Sequence, residues 1–235
     1  MNFLAFDTST EQLHLGVARG DTCLTQVLPG AAQASQQLIP HALRLLAEAG
    51  LRLSDLDAIV MGRGPGSFTG LRTACAVAQG LAYGGGLRVL PIDTLWAVAE
   101  DVRHRHGAMR VLSVLDARMG QYYASAWSFE GPSANAVLPP ALLNSDELLL
   151  PEAWRQEPHP VCVAGIGLDG LADALSARHA QIEVQAAAPS ADALLRLAPV
   201  AWHAGLAVAP DQAMPLYVRD KVAQTTAERE QLKSA

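Results

Sequence analysis

Charge is what this chain of 235 residues has little of: 17% of it is Asp, Glu, Lys or Arg, while half is hydrophobic. Such a composition argues against disorder and predicts a packed globular protein with apolar surface to spare. At this length a folded chain buries about 70% or more of its unfolded surface, so no disulfide staple is required. Positive charge is the scarcer sign, since the formal net charge is −6. Holding nucleic acid rests on clustered Lys and Arg, so any RNA contact is expected to be shared with a partner. Cysteine is nearly absent. Cys23, Cys75 and Cys162 are odd in number, widely separated and include no CxxC pair; they are expected to be small core residues in a reducing compartment. No apolar run is long enough to cross a membrane, because even the least charged segment is broken by Gln79, Gly80 and Gly84 to Gly86. The N-terminus has no basic region and meets Asp7 too early for a secretory leader, so a cytoplasmic location is expected.

Catalytic signatures are missing as well. The seven histidines include no pair spaced by four residues, and His104 and His106 fall on different helical faces, so no metal site is expected. Ser9, Ser67 and Ser125 have no His and Asp partners that the sequence places near them, which leaves no case for a hydrolase. The glycines from Gly64 to Gly70 lack the Lys that would follow in a Walker A phosphate loop.

What is present is most organised where charge is rarest. Residues 58–61 read as a buried strand, Gly62 to Gly66 as a turn, and the following residues to about Gly86 as a helix capped by Ser67. From Thr73 to Leu87 no residue is charged, so this helix needs cover on nearly every side. Gly70, Ala74, Ala78 and Ala82 recur every four residues, a row of small side chains that lets another helix approach closely. That other helix is expected on another protein or a second copy of the chain.

Around this centre the chain repeats itself. Residues 2–7, 13–19 and 22–28 read as an antiparallel meander, and residues 35–49 as a helix with Pro40 near its first turn. A strand at 88–92 and a helix from Thr94 to about Arg103 follow. The pattern then restarts with strands at 111–116 and 121–127: at one fixed offset Asp7 meets Asp116, Gln12 meets Gln121 and Leu13 meets Tyr122. Residues 161–167, a strand running into a glycine turn, echo residues 58–64. Residues 131–140 and 151–160 read as proline-bearing loops, and a helix near 192–205 precedes the closing Pro215 to Arg219. This duplication predicts an α/β protein of two lobes with a cleft between them. The expected lobes are 1–107 and 108–224, with the last helix free to pack back on the first lobe, followed by a polar tail at 225–235.

Four blocks carry a resemblance: Asp7-Thr8-Ser9, Gly64-Pro65-Gly66-Ser67-Phe68-Thr69-Gly70-Leu71-Arg72, Val114-Leu115-Asp116-Ala117-Arg118, and Pro215-Leu216-Tyr217-Val218-Arg219. Together they resemble the TsaB (YeaZ) family of the actin, Hsp70 and sugar-kinase (ASKHA) superfamily, from the N-terminus to about Val222. The Ser-Phe-Thr-Gly-Leu-Arg wording is typical of TsaB, whereas its catalytic paralogue TsaD keeps the Gly-Pro-Gly and differs after it. The resemblance implies a duplicated two-lobe ASKHA fold (actin-like ATPase, ribonuclease H-like) with a mixed sheet in each lobe. It implies a part in forming the threonylcarbamoyl group on N6 of adenosine 37 in tRNAs reading ANN codons. TsaD would be the transferase, and this chain a non-catalytic accessory subunit that binds and activates it. The small ATPase TsaE would join the pair, and a homodimer would form when TsaD is absent. tRNA would be met only through the complex. No cofactor of its own is implied, with ATP or ADP and Mg as candidates for a site shared with the partners.

The resemblance also assigns residues. TsaD-type catalysis uses a metal held by a His-x-x-x-His pair, and here Thr94 and Val98 stand at the corresponding positions, where neither can bind a metal usefully. The partner interface is expected at Leu38, Ala42, Leu45, Gly70, Leu71, Ala74, Val77, Ala78, Leu81 and Ala82. In the superfamily, Asp7, Thr8, Ser9, Asp116, Gly165 and Gly167 would face the interlobe cleft and hold a nucleotide, although the first turn lacks the glycine that kinases of this fold use to admit phosphate. The competing expectation is an ATP-dependent phosphotransferase using Asp7 and Asp116.

Overall fold

In the computed structural model, residues 1–30, 33–131, 133–155, 159–168, 170–177, 179 and 182–219 are described; the expected tail at 225–235 lies outside them. The meander is β1 (Asn2–Asp7), β2 (Gln12–Arg19) and β3 (Thr22–Pro29), each antiparallel to the next. On the other side of β1 lie β4 (Ala58–Gly62) and then β5 (Arg88–Ile92), both parallel to it, giving the order β3-β2-β1-β4-β5. The second sheet repeats this plan. It is built from β6 (Arg110–Asp116), β7 (Gln121–Glu130), β8 (Ser133–Asn144), β9 (Val161–Ile166) and β10 (Ile182–Ala186) in the order β10-β9-β6-β7-β8. The fold is therefore the duplicated two-lobe α/β arrangement with a mixed sheet in each lobe.

Strand periodicity distributes the core. Leu4, Phe6, Leu13, Leu15 and Val17 point to one face of the first sheet, where they meet Leu38, Leu45 and Leu46 of α1 (Ala34–Glu48) and Ala74, Ala78 and Ala82 of α2 (Phe68–Gly85). The alternate residues Phe3 and Ala5 point the other way, against Leu194, Leu195 and Ala198 of α6 (Ala191–His203). So a helix from the second half of the chain covers the first sheet. In return α3 (Thr94–His106), from the first half, sends Leu95, Val98 and Val102 against Val111, Leu115 and Trp127 of the second sheet. Trp96 stacks on Trp127 with ring centroids 5.3 Å apart. With both faces covered, β1 and β4 are buried almost throughout, which is why they read as unbroken apolar runs. Two short helices, α4 (Glu152–Arg155) and α5 (Leu171–Ser176), and 3₁₀ turns at Leu53–Asp55 and Pro210–Gln212 complete the described elements. Among the described residues no helix is long and apolar enough to cross a membrane.

Four local expectations are corrected. Residues 131–140 are not a loop: most belong to β8, whose Pro139 and Pro140 sit on an edge strand, opposite the place where the β7–β8 register shifts between Ala124 and Ala126. An edge strand tolerates a missing amide that an inner strand would not. Within residues 151–160, Glu152–Arg155 form a helical turn. Pro40 lies in the second turn of α1, on its exposed side, rather than near the first. Cys23 is exposed on the outer strand β3, and only Cys75 and Cys162 are buried.

Candidate functional site

The first-lobe turn is sealed. Asp7 ends β1 and is fully buried. Its Oδ1 accepts hydrogen bonds from the Ser9 backbone N–H at 2.7 Å and the Ser9 hydroxyl at 2.5 Å, and its Oδ2 accepts from Thr94 Oγ1 at 2.9 Å. Thr94 Oγ1 itself accepts from the Gly64 N–H at 3.1 Å. Burial pushes the Asp7 carboxyl above its ordinary value, opposed by the Ser9 and Thr94 hydrogen bonds and by His14. His14 lies opposite Asp7 in the β1–β2 register, and burial pushes its imidazole below the usual value, opposed by Asp7, Asp101 and Asp192.

The glycines of the central turn serve this seal. A Cβ on Gly62 would stand 1.8 Å from Asp7 Oδ2, and one on Gly70 would stand 1.8 Å from the Thr8 carbonyl oxygen. Only glycine lets the two turns press together so closely. The Thr8 hydroxyl donates to the Gly70 carbonyl at 2.7 Å, the Ser67 N–H donates to the Ser9 carbonyl at 2.8 Å, and the Gly70 N–H donates to the capping Ser67 Oγ at 3.4 Å. The Ser67, Gly70 and Leu71 amides at the start of α2 are thus engaged by the protein itself. The placement of Asp7 and Thr8 in the cleft is thereby corrected: both are buried behind Ser9.

The second-lobe turn is open. Asp116 ends β6 as Asp7 ends β1, and its Oδ1 accepts from the Arg118 N–H at 2.8 Å, the same turn that Asp7 makes with Ser9, yet Asp116 is exposed. Ser9, Asp116, Gly165 and Gly167 line a cleft of 1270 Å³ between the lobes, together with Arg118, Ile166, Val184 and Tyr217. Across it Arg118 meets Glu11 at 3.0 Å. At the positions set against the His-x-x-x-His pair, Thr94 is tied to Asp7 and Val98 lies in the core facing β6. Among the described residues no cluster of three or more His, Cys, Asp or Glu side chains is placed to hold a metal ion.

The expected interface residues need the larger correction. Leu38, Ala42, Leu45, Gly70, Leu71, Ala74, Ala78 and Ala82 are all buried in their own lobe, and Val77 and Leu81 are half-buried at the edge of the same core. The row of small residues lets α2 lie close on its own sheet and leaves nothing there for a foreign helix. The outward row of α2 is instead Thr69, Ala76, Gly80 and Tyr83, the last 84% exposed, with Ile39 and Leu43 exposed on α1. Arg72 borders that row at its N-terminal end, and no charged residue follows it on α2.

One feature had no signal in the sequence beyond the Pro215–Arg219 wording. The segment after α6 returns along α2 to the cleft. The Leu216 N–H donates to the Arg63 carbonyl at 2.7 Å, and Arg219 Nη2 donates to the Ala117 carbonyl at 2.8 Å in the second lobe.

Comparison with known proteins gives consistent relatives. The sequence model of the family described as "TsaD: tRNA N6-adenosine threonylcarbamoyltransferase" matches residues 27–227. The chain is 30% identical over 234 residues to the "tRNA threonylcarbamoyladenosine biosynthesis protein TsaB" of Escherichia coli K12, covering 95% of this chain and 96% of that one. It is 40% identical over 126 residues to the Haemophilus influenzae protein of the same name, covering 53% of each. The solved structure of YeaZ from Pseudomonas aeruginosa superposes with a TM-score of 0.83 at 33% identity, over 92% of this chain and 99% of that one.

Proposed function

The chain belongs to the TsaB (YeaZ) family of tRNA threonylcarbamoyladenosine biosynthesis proteins, and from that premise we propose that it is a non-catalytic partner that binds and activates TsaD. The reaction served is the formation of the threonylcarbamoyl group on N6 of adenosine 37 in tRNA. TsaE joining the pair, and a homodimer in the absence of TsaD, belong to the same reading. The observation that carries it is the outward row of α2: Ala76, Gly80 and Tyr83 lie exposed on a helix whose single charged residue is Arg72, and Ile39 and Leu43 are exposed on the neighbouring α1. Exposed apolar surface of this kind marks an interaction site. A catalytic role of its own is disfavoured by Asp7, whose carboxylate oxygens are both engaged inside the lobe.

The test is a substitution on the outward row. Ala76→Arg and Gly80→Arg point into open space, and nothing lies within 4 Å of a Cβ built on Gly80. Each variant is expected to keep the circular dichroism spectrum and melting temperature of the parent and to lose complex formation with TsaD measured by light scattering. An undiminished complex in both folded variants overturns the proposal.

A further inference from the structure

Residues 213–219 run along one stripe of α2 and then cross to the second lobe. Cys75 Sγ and Gln79 Nε2 both donate to the Ala213 carbonyl, at 2.9 and 3.0 Å. The Arg72 guanidinium lies 3.9 Å from the Phe68 ring centroid and donates to the Tyr217 hydroxyl at 3.2 Å, and the Phe68 and Tyr217 rings are 5.6 Å apart. At about 100° per residue, Phe68, Arg72, Cys75 and Gln79 fall within roughly 60° of one another, between the buried row and the outward row of α2. Further on, Arg219 Nη2 forks to the Ala117 carbonyl at 2.8 Å and Gln121 Oε1 at 3.1 Å, the first on the turn after β6 and the second at the start of β7. Tyr217, Val218 and Arg219 also form part of the wall of the interlobe cleft.

We propose that residues 213–219 are a strap through which α2 holds the second-lobe turn at 116–121, so that a partner seated on α2 tightens the cleft. The strap stands beside the outward row, and its Met214 and Tyr217 are 60% and 47% exposed, within reach of whatever covers that row. The fork of Arg219 matches two acceptors in fixed directions and so transmits position as well as attraction. A further tie across the cleft mouth, Arg118 to Glu11, joins two side chains about three-quarters exposed and holds little. Coupling of this kind is reciprocal, so whatever tightens the cleft also favours the partner.

The inference rests on α2 being the docking helix, and the experiment separates the two. Hydrogen exchange of the backbone amides at 116–123 is followed by mass spectrometry with and without TsaD, while light scattering reports the complex. Addition of TsaD is expected to slow exchange in that stretch by about tenfold. Arg219→Ala, away from the outward row, is expected still to form the TsaD complex, with affinity lowered by no more than the lost coupling of about tenfold, to exchange faster than the parent when free, and to gain no protection from TsaD. Gln121→Ala, which removes one acceptor and leaves the strap untouched, is expected to show the same loss in smaller measure. A complex that forms without slowing exchange at 116–123, or an Arg219→Ala variant protected like the parent, overturns the strap. Absence of any complex overturns the docking reading instead and removes the strap's premise with it.

Discussion

At the scale of residues, two neighbouring groups are displaced by burial in opposite directions. His14 faces Asp7 on β1, Asp101 on α3 and Asp192 on α6, yet burial prevails and keeps the neutral imidazole favoured. Below the usual imidazole value the folded chain therefore binds fewer protons than the unfolded chain, so His14 contributes stability that is complete above that value and is lost as pH falls. Asp7 has the opposite sign: its raised carboxyl takes up protons more readily in the fold, so its contribution declines as pH rises through the range above the ordinary carboxylate value. Replacing His14 with Gln is expected to remove the first slope and, with His14 no longer opposing it, to carry the second to higher pH, changing the pH dependence by up to about 1.4 kcal/mol per pH unit. Denaturant midpoints at pH 5.5 and 7.5 measure this, and parallel profiles for parent and variant count against it. Asp7 was visible in the sequence as a strand-ending carboxylate. Its burial was not, because the hydroxyls that satisfy it come from Ser9 nearby and from Thr94, 87 positions away.

At the scale of elements, α2 shows why composition alone misplaces an interface. Its lack of charge implies cover on nearly every side, whereas within the chain only the side carrying Gly70, Leu71, Ala74, Cys75, Ala78 and Ala82 is buried. The row Gly70, Ala74, Ala78 and Ala82 was expected against a partner helix, but a sheet also accepts a close helix when the side chains between them are small. Gly70→Ala tests this. The added methyl would stand 1.8 Å from the backbone oxygen of Thr8, which cannot rotate aside. The expected cost is about 3 kcal/mol, at the upper end for overpacking. For a chain of this size that lowers the melting temperature by roughly 6–12 °C. A melting temperature within about 2 °C of the parent contradicts the close approach. The reading of residues 131–140 as a loop has a similar origin. Pro139 and Pro140 are disallowed in an inner strand, and only knowledge of sheet order reveals that β8 is an edge.

At the scale of the whole molecule, the two lobes keep one plan and differ in what their turns expose. Asp7 and Asp116 end equivalent strands and bind the N–H two residues on, but the first is sealed under the glycine turn while the second faces the cleft. A phosphotransferase needs both carboxylates and free amides near phosphate. With both carboxylate oxygens of Asp7 engaged inside the lobe, the isolated chain given ATP and magnesium is expected to release no phosphate. Phosphate release that disappears in Asp116→Asn would restore the enzyme reading. The lobes are also interleaved, since α3 packs on the second sheet and α6 returns to the first.

The amino-acid sequence by itself determined the duplicated plan, the strand and helix order on either side of the glycine turn, and the family, because these rest on periodicity, turn residues and short motifs that are local along the chain. The tertiary structure alone decided which side of α2 is outward, which aspartate is sealed, and that Arg219 reaches Ala117 and Gln121, about a hundred positions earlier. Each depends on which distant segment supplies cover or a hydrogen-bond partner, and no local spacing records that.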